Sequence, residues 1–266
     1  MEGKGKPPHY FPKKVVMKVH NKIHRWAYDP LSNRRRSASG ADGVKLATGH
    51  ADVGDQASCG NCSTGISNVV KMRNIQKIGT WNVRGLLQTG KLTILEREIA
   101  RCKLSVCGIS ETHYRGNGHF FTDTHAIYFS GNDETSGNGV AFILPKTLSK
   151  CVMAYDCISD RVLSIRLKAK PVNLNIIQLY APTSTASDQD IETFYKDLDI
   201  TMSGIPKREV LVIMGDLNAK IGAHADQLSH CGKFGLRQHN ERGESLLQFA
   251  AENNLVIANI FFKQPP

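Results

Sequence analysis

The sequence predicts an α+β sandwich, two packed β-sheets with helices outside them, and three observations lead to it. From Ile75 onward short apolar runs recur at regular intervals, separated by Gly, Asn, Asp and Pro, which is how strands of a buried sheet read. Three longer stretches instead carry their apolar residues at helical spacing. No repeat of roughly 20–50 residues is visible, which sets aside solenoids and propellers.

The elements follow in order. Strands are predicted at Lys77–Val83, Leu104–Ser110, Ala126–Ser130, Val140–Leu144, Val152–Cys157, Val162–Ala169, Leu174–Tyr180 and Val210–Met214, with another near Leu255–Asn259. Helices fit Lys91–Arg101, where Leu92, Leu95 and Ile99 share a face, then Asp188–Met202 and Glu241–Glu252. Gly131–Gly139 (GNDETSGNG) is turn chemistry between two strands and predicts a hairpin loop. An α+β sandwich results from packing such elements in layers.

Residues 1–74 differ. They show no sustained period and mix Pro7, Pro8, Pro12 and Pro30 with Lys, Arg, Ser and Gly, so they are expected to form a disordered basic arm ahead of a folded domain at 75–266. Up to residue 70, eleven Lys and Arg face five Asp and Glu, so six of the ten excess positive charges lie there. A net charge of +10 and a pI near 9.3 favour polyanionic partners, DNA or RNA, although a basic tail also serves solubility alone. Arg34, Arg35 and Arg36 suit phosphate contact or nuclear import, but a triple basic run is more often a solvated tail. Seven cysteines without a secretory apolar segment point to a reducing compartment, nuclear or cytoplasmic and not secreted. The apolar runs are too short to cross a bilayer, and a monomer without membrane attachment is expected.

Four strands end in polar words: Thr80-Trp81-Asn82-Val83-Arg84-Gly85-Leu86, Gly108-Ile109-Ser110-Glu111-Thr112-His113, Gln178-Leu179-Tyr180-Ala181-Pro182-Thr183 and Met214-Gly215-Asp216-Leu217-Asn218-Ala219-Lys220. Taken singly, each has a plain reading. Asn82 ends a strand, Glu111 is a solvated strand end, Tyr180 is half-buried core, and Gly-Asp-x-Asn is turn material. The ordered set is more specific, because strand ends on one sheet edge can converge on a cleft. Phosphodiester hydrolysis needs a hard cation on the phosphate oxygens, and Mg²⁺ favours oxygen donors such as a carboxylate and an amide carbonyl, here Glu111 and Asn82. A carboxylate such as Asp216 can orient the attacking water and accept its proton. Asn218 and Tyr180 can donate to the developing oxyanion.

These words, in this order, resemble the endonuclease/exonuclease/phosphatase superfamily, in particular the apurinic-endonuclease-like domain of RTE-type non-long-terminal-repeat retrotransposons. Gly79–Leu86 (GTWNVRGL), Leu179–Thr183 (LYAPT) and Ile213–Gly222 (IMGDLNAKIG) carry the likeness, which covers about Ile75 to the carboxyl end and extends to a host protein derived from such sequence. The resemblance implies a four-layer α/β-sandwich of two packed, mainly antiparallel sheets flanked by helices. It implies divalent-metal-dependent endonuclease action on DNA with Mg²⁺, or Mn²⁺ in its place, and no organic cofactor. Asn82 and Glu111 inherit the binding or support of the metal, and Tyr180, Asp216 and Asn218 the action on phosphate and nucleophile. His113, Arg84 and Lys220 are weaker candidates for contacting nucleic acid. Arg84 stands where some relatives carry an acidic residue, which favours a single metal. The family also closes on an Asp-His pair, and no Asp-His follows Asn259 before Gln264-Pro265-Pro266. His224, His230 and His239 come too early to replace it. A domain lacking its last strands, with an exposed sheet edge, is therefore expected. The alternative is a catalytically impaired derivative that binds nucleic acid or protein without cutting. A phosphatase of the same superfamily fits the basic arm less well.

Cys59-Gly60-Asn61-Cys62 has no second pair at zinc-finger spacing. Cys102 and Cys107 suit small core residues, and Lys233 suits substrate steering.

Overall fold

Apolar runs too short for helices build the interior of the computed structural model, which describes residues 69–71, 77–222, 231, 232, 234, 235 and 239–261 together with the backbone of 14–18. Among them the strands are β1 (Lys14–Lys18), β2 (Val70–Lys71), β3 (Ile78–Asn82), β4 (Val106–Ser110), β5 (Asn117–Phe121), β6 (His125–Ser130), β7 (Val140–Pro145), β8 (Val152–Ser159), β9 (Val162–Leu167), β10 (Ala169–Lys170), β11 (Leu174–Tyr180), β12 (Val210–Asp216) and β13 (Val256–Ile257). The helices are α1 (Lys91–Cys102), α2 (Lys146–Ser149), α3 (Asp188–Ser203) and α4 (Glu241–Glu252), followed by a 3-10 turn at Ala258–Ile260. No helix among the described residues is long and apolar enough to cross a membrane.

Five strands form one sheet in the order β3-β4-β7-β6-β5, and six form another in the order β13-β1-β12-β11-β9-β8. Three apolar clusters separate four layers. Leu95 and Ile99 of α1 pack on Cys107 and Ile109, the outer face of the five-stranded sheet. Val106, Phe142 and Leu144 meet Leu163, Ile165, Ile176, Val212 and Met214 between the sheets. Ile177, Leu179, Leu211 and Ile213 face Phe194, Leu198 and Met202 of α3 and Leu246 and Phe249 of α4. Alternate residues of one strand therefore enter different clusters, as the two-residue period requires. The expected four-layer sandwich is thus the fold.

The two sheets are mainly but not wholly antiparallel, five of the nine strand pairings described in them running that way. The five-stranded sheet is antiparallel except for β3 with β4. The six-stranded sheet is mixed, because β1, β11 and β13 enter it through parallel pairs with β12 or β1. Helical crossovers explain two of the parallel pairs: α1 joins β3 to β4 and α3 joins β11 to β12, and a parallel pair needs such a return path.

Local chemistry sets the helix ends. Ser187 caps α3 by accepting from the Asp190 N–H at 3.2 Å, and the Asp190 carboxylate accepts from the Ser187 N–H at 3.2 Å, a complete capping box. Asn240 caps α4 by accepting from the Gly243 N–H at 2.9 Å. The Gly131–Gly139 segment joins the antiparallel pair β6 and β7, as its turn residues predict. Two strands, β1 and β2, precede Ile75, where the sequence placed the start of the folded domain. Arg34–Arg36, Cys59–Cys62, His224, His230, Lys233 and the terminal Gln264–Pro266 lie outside the described residues.

Candidate active site

Each polar word closes a strand of one parallel pair. Asn82 is the last residue of β3 and pairs with Ser110, the last of β4, directly before Glu111. Tyr180 ends β11 and pairs with Asp216, the last of β12. Strands that run parallel present their carboxyl ends at the same edge. The two pairs face each other across the sandwich, so four ends meet at one place.

The contacts there are direct. Asn82 Nδ2 donates to Glu111 Oε1 at 2.6 Å and to Asp216 Oδ2 at 3.0 Å, joining the sheets. Asn82 Oδ1 accepts from the Arg84 N–H at 3.1 Å. Asn82 thus offers Glu111 its NH₂ and not its carbonyl oxygen, and it orients two carboxylates that converge on one point. Carboxylate oxygens are the donors a hard divalent cation takes, whereas the Asn82 NH₂ is not one, and among the described residues no group of three or more His, Cys, Asp or Glu is placed to hold an ion.

Tyr180 is 8% exposed. Burial, and then a hydrogen bond to the Glu111 carboxylate, push its phenol well above the ordinary tyrosine range. It remains a neutral O–H donor at any physiological pH. Asn218 Nδ2 donates to the Ala181 carbonyl at 2.8 Å, which uses one of its two N–H bonds, and its own N–H donates to Asp216 Oδ1 at 3.2 Å.

The backbone around these groups is unusual. Arg84, Glu111, His113 and Asn218 all have positive φ, between 45° and 62°. Asparagine tolerates this region, but arginine, glutamate and histidine give up about 1 kcal/mol or more each to occupy it. Backbone hydrogen bonds hold them there. The Gly85 and Leu86 N–H groups donate to the Glu111 and Thr112 carbonyls at 2.6 and 2.8 Å, and the Thr112 and His113 N–H groups donate to the Gly139 and Asn138 carbonyls at 3.0 and 2.8 Å. The hairpin loop before β7 thereby braces the Glu111 turn.

The weaker candidates divide. His113 is half-buried, and its ring lies on Gly85 so closely that a Cβ there would sit 2.9 Å from Nδ1. Arg84 is exposed two residues beyond Asn82, in a loop that Lys91 Nζ tethers by donating to the Val83 and Arg84 carbonyls at 2.9 and 3.2 Å. Lys220 is exposed, and its backbone is clamped by Asn240, whose Oδ1 accepts from the Lys220 N–H at 2.7 Å. Cys107 is fully buried, and burial raises its thiol pKa beyond the ordinary range, as a small core residue requires.

Two groups at the site escaped the sequence reading. Arg161 stacks its guanidinium 5.3 Å from the centre of the Tyr180 ring and donates from Nη1 to the Tyr180 carbonyl at 3.3 Å. Asp160 accepts from Asn138 Nδ2 at 2.8 Å and, through its carbonyl, from the Gly139 N–H at 3.0 Å. Both occupy the tight turn between β8 and β9. Their signal was a charged pair closing an apolar hairpin, Ile158-Ser159-Asp160-Arg161-Val162, at the same edge as the four words.

Comparison with known proteins adds the following. Residues 79–238 match the Endonuclease/Exonuclease/phosphatase family. Craniofacial development protein 2 of Bos taurus is 40% identical over 188 residues, which span 71% of this chain and 31% of that protein. The chain therefore spans about a third of the length of the curated relatives it matches. Among solved structures, the AP endonuclease LMAP from Leishmania major is 15% identical with a TM-score of 0.46, covering 66% of each chain. The endonuclease domain of TRAS1, a telomere-specific non-LTR retrotransposon, is 15% identical with a TM-score of 0.44, covering 65% of this chain and 70% of that one.

Proposed function

This chain belongs to the endonuclease/exonuclease/phosphatase family, and from that premise we propose that it is a divalent-metal-dependent endonuclease hydrolysing phosphodiester bonds of DNA. The observation that carries the reading is the junction of Asn82 with Glu111 and Asp216, at 2.6 and 3.0 Å, at the carboxyl ends of two facing parallel pairs. Glu111 would hold a Mg²⁺ or Mn²⁺ ion, with Asn82 supporting it by orienting the carboxylate. Such an ion supplies Lewis-acid neutralisation of the phosphate oxygens.

The chain's own groups divide the remaining work. Asp216 receives the proton of the attacking water, a task for a carboxylate within hydrogen-bond reach. Tyr180, kept protonated by burial and by Glu111, would turn its single O–H from the Glu111 carboxylate to a phosphoryl oxygen as substrate binds. Asn218 donates beside it with its remaining N–H. Arg161 holds Tyr180 through its ring and its carbonyl, and Arg84, His113 and Lys220 would contact the flanking phosphates. The net charge of +10 supports a polyanionic substrate, and DNA as that substrate favours a nuclear site of action.

The test is plasmid nicking by this chain with and without Mg²⁺, beside Glu111→Gln. Metal-dependent nicking that disappears in the variant is the expected result. DNA binding without nicking, under every metal condition, would replace the nuclease reading with that of a binding module.

A further inference from the structure

Between the sheets the packing is mostly apolar, and among the described residues polar contacts also cross away from the cleft, where the Ser130 hydroxyl donates to the Ser159 carbonyl at 2.7 Å; directly behind the cleft lies another polar bridge. There the Gln178 amide, with no exposed surface, bridges Thr80 (5% exposed) and Ser110, which is also fully buried. Gln178 Nε2 donates to Thr80 Oγ1 at 3.0 Å and to Ser110 Oγ at 2.9 Å. Thr80 Oγ1 in turn donates to Gln178 Oε1 at 3.2 Å, and Ser110 Oγ donates to the Leu179 carbonyl at 2.9 Å. The amide has its place because β4 carries Gly108 opposite it. A Cβ at Gly108 would lie 1.8 Å from Gln178 Oε1.

The position of this bridge matters more than its polarity. Thr80 is two residues before Asn82, Ser110 is the residue before Glu111, and Gln178 is two residues before Tyr180 on the strand paired with Asp216. A side chain of the six-stranded sheet thus grips both site-bearing strands of the five-stranded sheet, one step behind the cleft. Apolar packing between sheets tolerates small slides, because dispersion contacts have little directionality. Hydrogen bonds do not, since they weaken steeply with misalignment. A shift of about 1 Å along the line of the 3.0 Å contact of Asn82 with Asp216 would carry it beyond hydrogen-bond range.

We infer that Gln178 is a positioning residue that fixes the register of the two sheets and so brings Asn82 and Glu111 onto Asp216 and Tyr180. Its role in hydrolysis rests on the nuclease reading above, whereas its role in geometry does not. A buried polar bridge contributes little net stability over a well-packed apolar replacement, so its distinct contribution is alignment.

The experiment separates these levels. The ¹⁵N-labelled 266-residue chain is compared with Gln178→Met and with the triple variant Thr80→Val, Ser110→Ala, Gln178→Met, which leaves no orphaned hydroxyl should the single variant fold poorly. The reporter is exchange of the Asn82 side-chain NH₂ protons, read beside backbone amide protection in β3, β4 and β11. Alignment by Gln178 predicts Asn82 exchange at least about tenfold faster in the triple variant while backbone protection holds, because the bonds to Glu111 and Asp216 open without unfolding. Unchanged Asn82 exchange with intact backbone protection overturns the inference. So does acceleration of Asn82 and of the three strands together, which marks a residue that merely stabilises the fold. Nicking is assayed on the same samples. A wild-type chain that never nicks overturns the nuclease reading and leaves the exchange result standing.

Discussion

Replacing Glu209 by Gln should cost this protein about 3 kcal/mol at neutral pH, and the cost should shrink as the solution is acidified. Glu209, 4% exposed, sits directly before β12. Its carboxylate accepts from Arg166 Nε at 2.9 Å and from Arg166 Nη2, and from the side-chain amides of Asn173 and Asn175 at 2.9 Å each. Burial alone would raise its pKa. The hydrogen bonds from Arg166, Asn175 and Asn173, with the Arg166 charge, outweigh burial and hold it at about 2, against an ordinary 4.5. At about 1.4 kcal/mol per unit, that depression corresponds to about 3 kcal/mol favouring the charged form in the folded protein. Because the folded pKa is the lower one, this stability is fully present above about pH 4.5 and is lost as pH falls toward 2. By linkage, less than half remains at about pH 3. Urea unfolding of both proteins at about pH 7 and pH 3 measures the difference directly. A difference that is the same at both pH values, or below about 0.5 kcal/mol at neutral pH, would refute the argument.

Other consequences are equally direct. Asp216→Ala should lower nicking about 10²–10⁴-fold with DNA affinity within a few-fold of wild type, measured by plasmid nicking and by fluorescence anisotropy; retained metal-dependent nicking would remove Asp216 from its role. Because the Tyr180 phenol pKa is raised, it keeps its proton as pH rises through the ordinary tyrosine range, so its ultraviolet phenolate signal should be missing at about pH 10, and a Tyr180→Phe difference spectrum checks this. Gly243→Ala should destabilise despite the helix-propensity gain of about 1 kcal/mol, because the added Cβ would lie 1.9 Å from the Lys220 carbonyl oxygen; a raised melting temperature would contradict the close approach of α4 to the Asn218 loop. Ser187→Ala removes half of the capping box of α3 and should cost about 1 kcal/mol in urea unfolding.

Several elements were legible because local pattern and burial agree. Leu174–Tyr180 and Glu241–Glu252 have the bounds their apolar patterns predicted. β12 runs two residues past its predicted end at Met214. Gly215 and Asp216 are poor strand formers, but pairing of Leu179 with Gly215 and of Tyr180 with Asp216 keeps them in the sheet. β5 (NGHFF) was missed because it is an edge strand whose alternation runs from exposed to half-buried and whose first residues are Asn and Gly. α2 is a single turn, too short for any period to show. The parallel pairs within the mixed six-stranded sheet were illegible, because strand direction depends on partner and connection and not on composition.

The chain's own sequence determined which chemistry is available. Carboxylates, amides and a phenol close apolar strands, in an order that belongs to one family, and no packing was needed to see them. The tertiary structure decided which of those groups meet and in what orientation. Asn82 lies 134 residues before Asp216 and touches it through the NH₂ that the sequence reading had assigned no task. Arg161 reaches Tyr180 from a turn that no motif includes. The physical reason is that these contacts cross between two sheets. Their register is set by side chains such as Gln178, Thr80 and Ser110 acting together, and a local pattern records what each strand buries but not how far one sheet slides over the other.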